Sequence, residues 1–216
     1  MPLRTLFVNT ISYGISSDPM VLAEREQQIT LGLKSLKNIN TQRKMVDMIL
    51  IDNTVDEIED LPLSIRVELP TNCTVITNSS LNNYGKINKG AGILEMIRSI
   101  QSKLDEYDFY VHHEPRTFVN DPIMFDSFFD RPRNYFRTGS ACDVNENSFW
   151  TGTFFTKTSD LKFFLDHADL EKLCEESISI EFHIKEFYDK HNIPYDETKT
   201  AGVIWHDRGA GVYRNV

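Results

Sequence analysis

The sequence predicts one α/β domain in which a mainly parallel sheet of about six strands is flanked by helices. Short β-branched or aromatic runs alternate with stretches whose apolar residues recur at helical spacing, the pattern of strand–helix–strand crossovers. Polar clusters follow the runs one after another, as they do where parallel strands end at a ligand-binding rim. A length of 216 residues suits one sizeable core and is short for two.

Residues 3–8 read as a buried first strand that Asn9 and Thr10 bring to an end. Residues 20–36 form an amphipathic helix with Leu22, Ile29, Leu33 and Leu36 on one side, and residues 45–51 supply a second strand ending at Asp52. An acidic, Pro-containing stretch over 56–70 leads to a third strand at 73–77. Ile93, Leu94, Ile97, Ile100 and Leu104 mark a helix over 90–104, which runs into a fourth strand at 109–111. Beyond it, 121–136 is aromatic and Pro-rich and is read as packing, while 139–147 is small and polar and suits a mobile loop over a site. A strand at 149–155, helices at 159–167 and 175–192, and an apolar run over 201–209 that delivers His206 to a turn complete the chain.

With 40% hydrophobic and 25% charged residues, the chain has the composition of a folded domain. A net charge of −9 opposes a nucleic-acid or anionic-membrane surface, because phosphate polymers are repelled at long range. A small diphosphate is still allowed where local cations such as Lys86, Lys89, Arg116 or Arg208 gather. Cys73, Cys142 and Cys174 are odd in number and lack metal-ligand spacing, which points to a reducing compartment. No stretch approaches the roughly 20 apolar residues of a membrane span, so a soluble, cytoplasmic protein is expected.

Two stretches carry chemistry. In His112-His113-Glu114-Pro115-Arg116, His112 and Glu114 stand two residues apart at a strand end, so an imidazole and a carboxylate can face one divalent ion. Upstream, Asn78, Ser79, Asn83 and Gly85 belong to a polar turn opening a helix, where Gly85 permits close backbone approach and Lys86 or Lys89 can face a phosphate. An Asn/Ser-rich turn is also plain helix-capping chemistry.

The order of strand-end Asp52, Asn83-x-Gly85, the strand into His112-His113-Glu114, Trp150-Thr151-Gly152-Thr153-Phe154, Glu175-Glu176 and Trp205-His206 resembles the GT-A fold of nucleotide-sugar glycosyltransferases across nearly the whole chain. The departure is that the family's Asp-x-Asp is here His112 and Glu114. Within that fold the chain more closely resembles transferases of chlorella viruses that build a capsid-protein glycan.

The resemblance implies a UDP-sugar donor, L-rhamnose as the transferred sugar, a glycan or glycoprotein acceptor, manganese or magnesium as cofactor, and further domains after Val216. It divides the chain into a nucleotide-binding half over 1–116 and an acceptor half over 117–216. Glu114, His112 and His206 would hold the metal. Asn9, Thr10 and Ile11 would surround the base, with Asp52 accepting from uracil or ribose; Asp52-Asn53-Thr54 equally suits a turn. Asn78, Ser79, Asn83, Gly85, Lys89 and His112 would border the nucleotide, and Trp150, Gly152, Thr153 and Arg208 the sugars; a core tryptophan, and a strand-end histidine pair making ordinary hydrogen bonds, are the alternatives for Trp150 and His112-His113. Glu176, with Glu175 beside it, would be the reacting carboxylate in a retaining enzyme; helix N-terminal acids are the structural alternative. A UDP-sugar binding module without turnover and a nucleotidyltransferase are the rival readings.

Overall fold

The structure, a computed structural model, describes residues 3–40, 46–139, 147–207 and 212–216. The elements run β1 (Thr5–Ile11), α1 (Pro19–Asn40), β2 (Val46–Asp52), α2 (Leu63–Arg66), β3 (Cys73–Thr77), α3 (Lys89–Ser99), β4 (Phe109–His113) and β5 (Thr117–Val119). There follow α4 (Ile123–Asp130), β6 (Tyr135–Thr138), β7 (Phe149–Lys157), α5 (Thr158–His167), α6 (Leu170–Glu175), α7 (Ile180–Lys190), β8 (Asp196–Thr198), β9 (Val203–Asp207) and β10 (Val212–Asn215). Seven strands form the main sheet in the order β3-β2-β1-β4-β7-β6-β8, and β10-β9-β5 form a second. In the main sheet β3, β2, β1 and β4 are parallel, β7 runs against both its neighbours, and β6 pairs parallel with β8.

The alternation along each central strand makes two cores. Leu6, Val8, Ile49, Ile51 and Tyr110 face α3, α5, α6 and α7 on one side. Phe7, Met48, Leu50, Phe109 and Val111 face α1 and α4 on the other. Three layers result, with the strand-end rim of β1, β2 and β4 left open beside α3.

Several boundaries differ from expectation. Asn9 and Thr10 do not end β1, because Asn9 pairs with both β2 and β4 and Thr10 and Ile11 go on pairing with β2. The third helix stops at Ser99 and tightens into 3-10 turns over Gln101–Glu106. The helix read over 175–192 is interrupted by Ser177, whose φ of 52° is left-handed; α7 starts afresh at Ile180, where Ser179 accepts from the Glu181 N–H. The aromatic stretch is packing: Phe125 and Phe128 of α4 contact the Phe155 ring, with centroids 5.2 and 4.6 Å away. Of the loop expected over 139–147, residues 140–146 lie outside the described residues. Among the described residues no helix is long and apolar enough to cross a membrane.

Candidate functional site

Two adjoining cavities open at the rim. The first, of about 140 Å³, is lined by Thr10, Ile11 and Ser12 after β1, Asn53 after β2, Asn82 and Gly85 before α3, and the charged side chains Arg25, Lys89, Glu114 and Arg116. The second, of about 340 Å³, shares Lys89 and Glu114 and adds Thr151, Ser179 and Glu181. Three cations thus surround one carboxylate in the first cavity of a chain whose net charge is −9. That concentration favours an anionic ligand.

Glu114 is fixed before any ligand arrives. Its N–H donates to the Gly152 carbonyl at 2.8 Å, and its carbonyl accepts from the Thr117 N–H at 3.0 Å and hydroxyl at 2.8 Å. The side chain, 12% exposed, forms an ion pair with Arg116 and lies 3.9 Å from the Lys89 ammonium. Burial alone would raise its pKa, but Lys89 and Arg116 outweigh burial and hold it well below the usual carboxylate range. Lys89 is raised by Glu114 and lowered by the surrounding protein and by Arg116 and Arg25; the lowering wins, although two thirds of the side chain opens on the cleft. Asn88 seats Lys89: its side chain accepts from the Gly90 and Ala91 N–H groups and donates to the carbonyls of Leu173 and Ile178.

The structure brings some of the expected residues together. Thr10, Ile11, Gly85, Lys89 and Glu114 line the first cavity. Asn9 does not: its side chain is fully buried, and both its polar atoms lack a hydrogen-bond partner. Asp52 accepts from the Thr54 and Val55 N–H groups and the Thr54 hydroxyl of its own turn, and from the Tyr13 N–H of the loop after β1, so the turn reading accounts for most of its contacts. Its neighbour Asn53 reaches the cavity instead, accepting from Ser12 Oγ at 2.7 Å and donating to Asn82 Oδ1 at 3.3 Å. Asn78 caps the 3-10 turn at Ser79–Leu81, Ser79 donates from its backbone to Asp56, and Asn83 donates to Glu95; none of the three lines either cavity.

Glu175 and Glu176 close α6 rather than open a helix, and both are exposed outside the two cavities. Glu181 stands at the cleft in their place: Thr151 Oγ1 donates to one carboxylate oxygen at 3.4 Å, and Ser179 Oγ donates to the other. Trp150 is a core residue, 4% exposed, with the Arg137 guanidinium 5.9 Å from its ring. A Cβ on Gly152 would fall 2.2 Å from that ring, so the glycine makes room for the tryptophan rather than for a sugar. Thr153 is buried and hydrogen-bonds His113 Nδ1 at 2.7 Å. Thr151 is the member of that motif that lines the cleft.

Among the described residues, the donors expected for a metal do not assemble. His112 is fully buried and stacked on Phe154, and its two ring nitrogens lie 3.4 Å from Thr10 Oγ1 and 3.2 Å from Tyr110 Oη. Burial lowers its pKa to about 4 and that of His113 to about 3, the latter helped by His112. Glu114 already holds two cations. Among the described residues no three His, Cys, Asp or Glu side chains gather as a metal-ligand set. The backbone of His206 lies in β9, opposite Tyr213 of β10; its side chain, and the whole of Arg208, lie outside the described residues.

No protein-family profile matches the sequence, and no curated protein matches it. Solved structures do. Core-mannan synthase A of Aspergillus fumigatus, in its Mn/GDP form, superposes with a TM-score of 0.58 at 10% identity, over 100% of this chain and 75% of that one. A protein of Desulfovibrio desulfuricans assigned as a nucleotide-diphospho-sugar transferase gives 0.54 at 9%, over 90% and 79%. Mouse xyloside xylosyltransferase 1 gives 0.53 at 9%, over 91% and 84%. The fold is therefore that of the GT-A nucleotide-sugar transferases.

Proposed function

We propose that this protein is a glycosyltransferase that moves a sugar from a nucleoside diphosphate, UDP by preference, to a glycan acceptor. The observation that carries the proposal is a cation-lined cavity at the carboxyl ends of a GT-A sheet, opening past Lys89 and Glu114 into a second cavity that holds Glu181. The first cavity suits the nucleotide. Ser12, Asn53 and Asn82 offer hydrogen-bonding groups, half-exposed Ile15 gives apolar surface for a base, and Arg25, Lys89 and Arg116 suit the diphosphate.

The sugar and acceptor occupy the second cavity, where Glu181 is the reacting carboxylate. In an inverting course it accepts the proton of the attacking hydroxyl; in a retaining course, the one suggested by the sequence resemblance, it stabilises the positive charge that develops at the anomeric carbon. Manganese or magnesium, expected from the same resemblance, does not fit the described donor set, and no step is routed through it. L-Rhamnose is the first donor sugar to test, and capsid-glycan synthesis is the setting that goes with it.

Calorimetric titration of UDP, GDP and CMP, followed by assay of UDP release from UDP-sugars including UDP-rhamnose, tests the reading. Selective UDP binding with sugar release to an acceptor is expected, and NMR of the product anomer assigns the course. Binding without turnover on any acceptor would leave a binding module, and no nucleotide binding would overturn the proposal.

A further inference from the structure

Glu114 sits where the sequence suggested a metal ligand, yet its carboxylate is committed to Arg116 and faces Lys89 at 3.9 Å. It is the only carboxylate among the described residues lining the first cavity. An ion seated on it would lie against two, and with Arg25 three, like charges in a confined space. Of the imidazoles expected to complete a coordination shell, that of His112 is spent within the sheet on Thr10 and Tyr110, and the side chain of His206 lies outside the described residues. The cations themselves are well placed. Arg116 is held by its ion pair with 18% of its side chain exposed, while the Lys89 side chain is 66% exposed on the seam between the two cavities.

We propose that Lys89 and Arg116, positioned by Glu114, neutralise the diphosphate leaving group directly, so that this protein binds and uses its nucleotide-sugar donor without a divalent ion. The inference rests on the glycosyltransferase reading. As the bond from the anomeric carbon to the diphosphate oxygen breaks, its electron pair passes to that oxygen, where the ammonium and guanidinium meet the new charge. The acceptor oxygen forms the replacing bond, and its proton passes to Glu181 in an inverting course or to the departing diphosphate oxygen in a retaining one. Fixed cations supply here what a bridging metal supplies elsewhere, at the cost of a strong dependence on ionic strength.

The test is calorimetric titration of UDP and of uridine into the whole chain, in EDTA and again in excess manganese chloride. UDP affinity in EDTA is expected within about threefold of that in manganese, since the cations rather than the ion carry the contact. Lys89→Met and Arg116→Gln are each expected to weaken UDP binding in EDTA by about 10- to 100-fold, as for loss of a charge-assisted contact, with uridine unaffected. Lys89→Met, at an exposed side chain, keeps the test valid if the arginine variant fails to fold.

UDP binding that appears only with manganese and is abolished by Glu114→Gln would overturn the inference while leaving the glycosyltransferase reading standing. Wild-type affinity of the Lys89 variant in EDTA would overturn it as well. Absence of nucleotide binding in both solutions would instead remove the functional reading beneath it.

Discussion

Thr151 Oγ1 of β7 donates to Glu181 Oε1 across 3.4 Å, tying the first turn of α7 to the strand that pairs with β4. Ser179 holds the other oxygen, so the carboxylate is oriented from both sides. Glu181→Gln preserves this shape and removes the charge. Transfer is expected to fall about 10²- to 10⁴-fold while UDP affinity stays within about twofold. Single-turnover sugar transfer alongside UDP calorimetry checks both, and near-normal transfer would exclude Glu181 as the reacting group.

Asn88 makes four hydrogen bonds with one amide, two to the start of α3 and two to carbonyls at Leu173 and Ile178. Asn88→Ala removes a helix cap and leaves two carbonyls without this donor. A loss of about 1–3 kcal/mol is expected in urea unfolding, together with weaker UDP binding because Lys89 follows it directly. A loss below a few tenths would mean that the bridge between the halves is not formed in solution.

The buried histidines set an acid limit on stability. An unfolded histidine titrates near about 6.5, whereas His112 and His113 are lowered in the folded state to about 4 and about 3. Between those values the unfolded chain binds more protons, so stability is full above pH about 6.5 and declines as pH falls through this window. Each unit of separation is worth about 1.4 kcal/mol. Urea midpoints measured from pH 7.5 down to 4.5 should fall steadily, and His113→Asn should flatten the slope; a level profile would contradict the burial of both rings.

Asn9 is a polar residue with no polar partner, in register with His113 on β4, whose Nε2 is also unpaired. Replacing an orphaned buried amide with an apolar group of similar shape is neutral or stabilising. Asn9→Leu is therefore expected to hold or raise stability by about 1 kcal/mol and to leave UDP affinity unchanged. Lost nucleotide binding in a fully folded variant would return Asn9 to the site.

The sequence was most readable where hydrophobic period and strand length agreed. The strand at Cys73–Thr77 was placed to the residue, and the strands and long helices through β4 emerged with errors at their ends, although the one-turn helix α2 was missed. The second half was harder, because β5, β6 and β8 have three or four residues each and carry too little pattern to be seen. In the site, Lys89 and Glu114 stood out because each lies beside a turn after or before a long apolar run. Arg25 gave no such sign, being one charge among several on an exposed-looking helix, and it reaches the cleft only by the packing of α1. Asp52 drew attention from Asn53 because a carboxylate looks more functional than an amide, yet local N–H groups claim it. Glu181 had a local signal, two residues after a capping serine, but the run of acids just upstream was the louder one.

Gly32 of α1 packs directly on the turn that follows Glu114. A Cβ at position 32 would come within 1.9 Å of the Pro115 carbonyl, so helix and turn touch backbone to backbone. Ser35, one turn later, donates its hydroxyl to the Gly32 carbonyl and accepts from the Val119 N–H, which clamps β5 to the same helix. The loop that presents Glu114 and Arg116 therefore has no slack of its own. Ligand arrival that shifts this loop must shift α1, and a label on the outer surface of α1 would register events in the cleft.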